Sequence, residues 1–163
     1  MTRIISFIFL LSLASCCSVA EIPKDRLTEL NEYWSEVSRC VNEGDFAGYE
    51  ATTHPEGVLV AGTSDKAYPL AKALSRWKQE FDDTKSGKIK AGVSFRFSKR
   101  LGDETTAHET GMFLYYQVKP DGKKVAEYIH FEALLLKKAD GWKIVMEYQK
   151  SKGTKEEWDS LKS

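Results

Sequence analysis

The fold is decided by the stretch from Glu104 to Tyr148, which reads ETTAHETGMFLYYQVKPDGKKVAEYIHFEALLLKKADGWKIVMEY. Two turn signals divide it into two long strands and a shorter one. The first is Lys119–Gly122 (KPDG), since proline presets φ and glycine accepts a positive φ. The second is Ala139–Gly141 (ADG), an Asp-Gly hairpin signal between apolar runs. Because long strands twist and curl, this stretch predicts a curved sheet with a hollow side.

The residues before this stretch predict helices that fill the hollow incompletely and leave a pocket. Apolar spacings of three and four residues predict a first helix with the buried face Leu27, Leu30, Trp34, Val37 and Val41. Asp45 caps a second, short helix that carries Phe46 and Tyr49. A third helix follows Pro69 and presents Leu70, Leu74, Trp77 and Phe81. Strands are predicted at Val58–Ala61 and Val93–Phe97.

Helices followed by a run of strands indicate the α+β class, with helices on one face of a mostly antiparallel sheet. This order resembles the nuclear-transport-factor-2-like superfamily, also described as SnoaL-like or cystatin-like cones. Leu30–Phe46 looks like the family's first helix and the turn into its second, and Lys137–Val145 looks like its last hairpin. The resemblance covers about Leu27 to Gln149, and it implies a cone-shaped α+β barrel.

The end of the last strand departs from the family pattern. Family members often carry histidines and a serine there, whereas this chain has Met146, Tyr148 and Lys150. The pocket of a better-known member is therefore not simply transferred to this chain.

Residues 1–20 have the pattern of an export signal. Arg3 precedes an apolar run from Ile4 to Leu13, and small residues follow. Cleavage after Ala20 would release a soluble product, whereas the lipobox-like sequence before Cys16 would make that cysteine a lipid-modified N-terminus. Both alternatives predict an exported protein, either periplasmic or extracellular. The folded domain is expected at residues 21–153, and a tail at 154–163 begins with a capping-box pattern that predicts a short helix.

Charge and motifs disfavour several classes of function. Basic and acidic residues number 24 each, and removal of residues 1–20 leaves a net charge of −1. A balanced chain lacks the field expected of a nucleic-acid-binding protein. The sequence has no phosphate-cradling glycine loop, nucleophile elbow or metal-ligand spacing, so neither a cofactor nor a metal is expected. No apolar run after the signal is long enough to cross a membrane.

The turns predict which side chains face the hollow. Pairing of Lys119 with Lys124, and of Lys138 with Trp142, sets the register of the three strands, and alternate residues then share a face. The predicted inner face carries Ala107, Glu109, Gly111, Phe113, Tyr115, Tyr128, His130, Glu132, Leu134, Leu136, Trp142, Ile144, Met146 and Tyr148.

Three ionisable groups on this otherwise apolar face are the candidate catalytic residues: Glu109, His130 and Glu132. Burying charge without a partner is costly, so they need mutual pairing, a ligand or water. Structural pairing, a ligand pocket without chemistry, and catalysis all stay open. The candidate ligand-binding residues are Trp34, Tyr49, Trp77, Phe113, Tyr128, Met146 and Tyr148.

The opposite sheet face is predicted to be an apolar patch with no helix over it. It would carry Met112, Leu114, Tyr116, Ile129, Phe131, Ala133 and Leu135, mixed with Lys143, Glu147 and Gln149. Such a patch is seldom left exposed. The resemblance also implies dimers through the sheet, so a homodimer is expected, and Phe131→Glu should yield monomers.

Three functions remain open from the sequence. The first is a non-enzymatic exported domain that binds a small, partly apolar molecule. The second is an acid–base enzyme without a cofactor, of an isomerase, cyclase or dehydratase type, using His130 with Glu132 or Glu109. The third is an envelope interaction domain that acts through its outer sheet face.

Overall fold

The predicted helices form, and one apolar face of each packs against the sheet. A computed structural model describes residues 24–161. Its helices are α1 (Lys24–Glu43), α2 (Phe46–Ala51), α3 (Leu70–Lys85) and α4 (Lys155–Ser160). The buried face of α1 consists of Leu30, Tyr33, Trp34, Val37 and Cys40. No helix within residues 24–161 is both long and apolar enough to span a membrane.

Side-chain caps hold the helix ends as the sequence predicts. Asp45 accepts the backbone N–H of Gly48 at 3.0 Å and so begins α2. Thr154 and Glu157 form a reciprocal capping box at the start of α4. Gly44 ends α1 at φ 68°, a left-handed conformation that glycine adopts without steric cost. The predicted signal sequence, including Cys16, lies outside the described residues.

Within the described part of the chain, the sheet has six strands and is curved but not closed. The strands are β1 (Thr53–Ala61), β2 (Lys66–Pro69), β3 (Lys90–Gly102), β4 (Thr106–Val118), β5 (Lys124–Lys138) and β6 (Gly141–Lys152). Their spatial order is β2-β1-β6-β5-β4-β3. Only β1 and β6 run parallel to each other, so the sheet is mostly antiparallel, as predicted. The short edge strand β2 was not predicted.

The inner face of the sheet packs against α1, α2 and α3. Phe131 lies at the centre of the core, with its ring centroid 5.7 Å from those of Trp34, Phe95 and Phe113. Trp34 brings the aromatic cluster onto α1, with its ring 4.4 Å from that of Phe95. Because this cluster joins helix and sheet, it holds the two layers of the cone together.

The predicted register between β4 and β5 is wrong by one residue. Val118, not Lys119, pairs with Lys124, so the loop contains five residues instead of four. Within it the N–H of Lys119 bonds the carbonyl of Lys123, and that of Gly122 bonds the carbonyl of Lys119. One extra loop residue moves every β5 side chain to the other face. Phe131 therefore lies opposite Gly111, and Glu132 lies opposite Thr110.

A β-bulge restores the predicted register in part of the second hairpin. Lys138 pairs with Gly141 instead of Trp142, but the register shifts at Val145, between the pairs Leu135–Ile144 and Leu134–Met146. The predicted pairings of Glu132 with Tyr148 and of Leu134 with Met146 are therefore confirmed. The same bulge places Trp142 and Ile144 on the inner face but Met146 and Tyr148 on the outer face.

The prediction of a large apolar patch on the outer face, with no helix over it, is wrong. Four of its members lie in the core of the inner face, where each is at most 6% exposed: Ile129, Phe131, Ala133 and Leu135. Helix α4 covers part of the outer face, where Trp158 stacks under the guanidinium of Arg96, 4.6 Å from the ring centroid. Self-association stays a prediction, and Phe131→Glu is not a test of it because Phe131 is internal.

Candidate functional site

A cavity of about 330 Å³ lies between the inner face and helices α1, α2 and α3. Helix residues and strand residues both line it. The aromatic members of the lining are Tyr33, Trp34, Tyr49, Trp77, Phe81, Phe95, Phe113, Tyr115 and Phe131. The exposed residues Thr63, Glu127 and Lys152 also belong to the lining, so the cavity opens to the surface at that end. We call this end the mouth.

Glu147 is a carboxyl group inside this aromatic enclosure. It stands on β6, and the amide of Gln149 donates a hydrogen bond to its Oε1 at 2.6 Å. Among residues 24–161, no basic side chain forms an ion pair with it, and its Oε2 accepts no hydrogen bond. Burial raises the pKa of Glu147 above the ordinary glutamate value, and the bond from Gln149 opposes the shift. The group therefore favours protonation more than a surface glutamate does.

Two tyrosines from different helices lie beside Glu147. The hydroxyl of Tyr33 donates to the carbonyl of Thr52 at 3.2 Å. The hydroxyl of Tyr49 makes no hydrogen bond with any residue in the range 24–161. Burial raises the pKa of both tyrosines well above the ordinary value, and the negative charge of Glu147 raises it further. Both hydroxyls stay protonated, and that of Tyr49 is a free donor.

The mouth of the cavity carries more acid than base. Tyr115 donates a hydrogen bond to Glu80 at 2.6 Å, and Gln117 donates to the same oxygen. Lys152 lies 3.8 Å from Glu127. Among the described lining residues, the acidic ones are therefore Glu80, Glu127 and Glu147, and the basic one is Lys152. An anionic ligand would meet this excess of carboxylates.

Four of the seven predicted ligand-binding residues line the cavity. They are Trp34, Tyr49, Trp77 and Phe113. The other three, which are Tyr128, Met146 and Tyr148, lie on the outer face because of the register shift and the bulge. A ligand-binding role for all seven stays a prediction.

Glu109 lies on the inner face, as predicted, but its carboxylate is fully used by the protein. The side chain is 0% exposed. Arg100 donates from Nε to Oε1, and Trp34 donates from Nε1 to Oε2. Arg100 also donates to Asn31 at 2.5 Å. The ion pair with Arg100 explains how the charged carboxylate of Glu109 is tolerated in the core.

His130 and Glu132 lie on the outer face, away from the cavity. Glu132 pairs with Lys150 at 2.6 Å and with His108 at 3.1 Å. The Lys150 ammonium, and to a smaller extent His108, lower the pKa of Glu132. His130 lies 3.3 Å from Glu157 of α4 and lines a separate outer cavity of about 340 Å³. The three predicted catalytic residues thus do not converge on one site.

Sequence reasoning missed Glu147, Gln149 and Tyr33. Tyr33 precedes Trp34 on the predicted buried face of α1, so helical periodicity could have found it. Glu147 and Gln149 were placed on the outer face. Their position depends on the bulge at Val145, where no glycine or proline marks it in the sequence. Within residues 24–161, no group of three or more His, Cys, Asp or Glu residues could hold a metal ion.

Neither a protein-family model nor a curated protein matches the sequence. Solved structures do match the fold. A conserved protein from Planctomyces limnophilus has a TM-score of 0.64 at 9% identity, covering 77% of this chain and 95% of that chain. An NTF-2 like protein of unknown function from Shewanella oneidensis has a TM-score of 0.58 at 16% identity, covering 76% and 97%.

A third structure is of a protein from Catenulispora acidiphila in complex with S-DNPA. Its TM-score is 0.60 at 17% identity, and the match covers 77% of this chain and 92% of that chain. At such identities the likeness concerns the fold. Helices α1 to α3 packed inside a curved, open sheet agree with it. The chain therefore has the nuclear-transport-factor-2-like fold that its sequence resembles.

Proposed function

We propose that this chain binds a small, largely apolar molecule in the cavity between the helices and the inner face. The observation that carries the proposal is the cavity itself: about 330 Å³, walled by aromatic side chains and open at the mouth. Ligand sites generally have this size and this mixture of apolar walls with a few polar groups. The Catenulispora acidiphila protein of the same fold, solved in complex with S-DNPA, supports a small molecule as the occupant.

The cost of an unfilled core supports the same proposal. A well-packed interior is more stable than one with a void, because lining atoms lose contacts on one side. Small residues such as Ala91 and Val93 stand in the lining among the aromatic ones. The space that these residues leave is available to a ligand.

Filling the cavity should abolish binding. We expect Val93→Phe to weaken binding of the neutral dye N-phenyl-1-naphthylamine by about tenfold or more, because the new ring occupies the ligand's space. Val93 lines the cavity from β3. Dye fluorescence titrated against protein measures the effect.

The matched control is Ser94→Phe, which adds the same ring one residue away on the outer face of β3. It should leave dye affinity unchanged, and thermal unfolding should show both variants folded. Equal dye binding by wild type and Val93→Phe would refute the cavity as the binding site.

The enzyme alternative lacks an observation in its favour at the predicted residues. Glu109 is paired with Arg100, and His130 and Glu132 face outward with partners of their own. A catalytic role for these three stays a prediction. The interaction-domain alternative loses most of its predicted apolar surface to the core.

Export is the second part of the proposal, and it rests on the pattern in residues 1–20. Expression of the full chain in a bacterial host should yield a mature protein that begins at Glu21, as measured by intact mass. Cys16→Ala should not change that mass. A lipid-modified mass beginning at Cys16 would support the anchored alternative, and a retained full-length chain in the cytosol would contradict export.

A further inference from the structure

The cavity holds an acidic group for which residues 24–161 provide no counter-ion. Glu147 is surrounded by Tyr33, Tyr49 and the amide of Gln149, none of which carries positive charge. Its Oε2 has no hydrogen-bond donor among residues 24–161. By contrast, the carboxyl group of Glu109, which is fully buried where Glu147 is partly exposed to the cavity, has an arginine and an indole N–H. Glu147 is therefore the one of the two that lacks a cation.

We infer that the cavity takes an organic monocation, a protonated amine on an apolar body, with Glu147 as its counter-ion. This inference rests on the proposed function and specifies its ligand class. A buried carboxylate is stabilised by a paired, hydrogen-bonded cation, and a charge-assisted hydrogen bond is among the stronger polar contacts. An incoming ammonium would give Oε2 of Glu147 the donor that the protein does not supply.

The walls around Glu147 favour a cation as well. Tyr49 and Trp77 stand edge to face, with their ring centroids 6.2 Å apart, and both line the cavity. Aromatic faces attract ammonium groups through their quadrupole, and the attraction grows when the cation leaves water. The ring that buries the ligand's body can therefore also stabilise its charge.

The charges at the mouth of the cavity also favour a cation. Glu80 and Glu127 line it, and Lys152 is the basic residue beside them. Two carboxylates and one ammonium leave an excess of negative charge, and such an excess raises the local concentration of cations. Cations are therefore attracted on entry, and carboxylate ligands are disfavoured.

Binding of an amine should lower the pKa of Glu147. Burial raises that pKa in the empty cavity, and an ammonium beside the carboxylate favours the ionised form. Affinity should then rise with pH through the raised pKa of Glu147 and fall once the amine itself is deprotonated. The other titratable groups that line the cavity around it are Tyr33 on α1, Tyr49 on α2, Glu80 on α3, Tyr115 on β4, Glu127 on β5 and Lys152 on β6.

The test compares three probes with one body and different head groups: 2-(2-naphthyl)ethylamine, 2-(2-naphthyl)ethanol and 2-naphthylacetate. Calorimetric titration of the wild type at pH 7 should give the amine an affinity about tenfold or more above that of the alcohol. The acetate should bind most weakly. Repeating the amine titration at a series of pH values should show the affinity falling as the pH is lowered through the raised pKa of Glu147.

Glu147→Gln keeps the shape of the side chain and removes its charge. This variant should bind amine and alcohol equally and should lose the pH dependence that Glu147 confers. Glu104→Gln is the matched control, since it makes the same change in an exposed turn between β3 and β4, and it should retain the amine preference of the wild type.

The outcomes separate the inference from the proposed function. If the alcohol binds as tightly as the amine, or if Glu147→Gln retains the preference, the inference is overturned while ligand binding stands. If none of the three probes binds the wild type, the proposed function and the inference both fall. The wild-type comparison needs no variant, so a folding defect in Glu147→Gln would not hide the answer.

Discussion

Glu109→Ala is expected to lower the free energy of unfolding by about 3 kcal/mol or more, because removing one partner of a buried pair leaves the other charge uncompensated. The Arg100 guanidinium would lose its carboxylate, and the Trp34 indole N–H would lose its acceptor. Asn31 would remain as a neutral partner of Arg100. One nitrogen of Arg100, Nη2, is already buried without a hydrogen-bond partner. The guanidinium therefore has little further support, and urea denaturation should register the loss.

Glu132→Ala is the matched control for this prediction. It removes the same side chain from the neighbouring strand, but on the outer face, where water screens the pair with Lys150. The change in unfolding free energy should stay within about 1 kcal/mol. If Glu109→Ala lowers the free energy of unfolding no more than Glu132→Ala does, the pair of Glu109 with Arg100 does not stabilise the core.

A double replacement tests whether the charge itself is needed. Arg100→Met together with Glu109→Leu should be less destabilising than Glu109→Ala alone, since an apolar pair leaves no buried charge. If the double variant is the less stable one, the ion pair contributes more than mutual neutralisation.

The helices were predicted well because their signal is local. The buried faces of α1 and α3 follow a period near 3.6, and Asp45 and Thr154 satisfy backbone donors a few residues away. Three of the four predicted ligand-binding residues that line the cavity come from helices: Trp34, Tyr49 and Trp77. Their orientation depends only on helical periodicity and the choice of packed face.

The strand-borne part of the site could not be predicted in the same way. A strand's side chains alternate with a period of two, so any single-residue change in a loop or a bulge exchanges the faces. The loop after Val118 contained one residue more than expected, and this placed Phe131 inside and Glu132 outside. The bulge at Val145 then placed Glu147 in the cavity. Such shifts are settled by packing of the whole sheet, which the local pattern does not contain.

The second large effect is expected at Phe131, which this register places at the centre of the core. Phe131→Ala should reduce the free energy of unfolding by about 4 kcal/mol, because it removes a buried ring and leaves a void. Trp34, Phe95 and Phe113 all surround that ring, and the side chain is 1% exposed. The midpoint temperature of thermal unfolding should fall by about 10 °C.

Phe113→Ala makes the same change on the neighbouring strand β4 of the inner face, where the ring is only partly buried and borders the cavity. Phe113→Ala should lower the free energy of unfolding by less than half as much as Phe131→Ala, since part of the Phe113 ring already faces open space. Phe131→Glu should leave the chain unfolded, because an unpaired carboxylate would replace the central ring. If sedimentation instead shows that Phe131→Glu is a folded monomer, Phe131 lies on the outer face. The register that the turn signals first predicted would then be the right one.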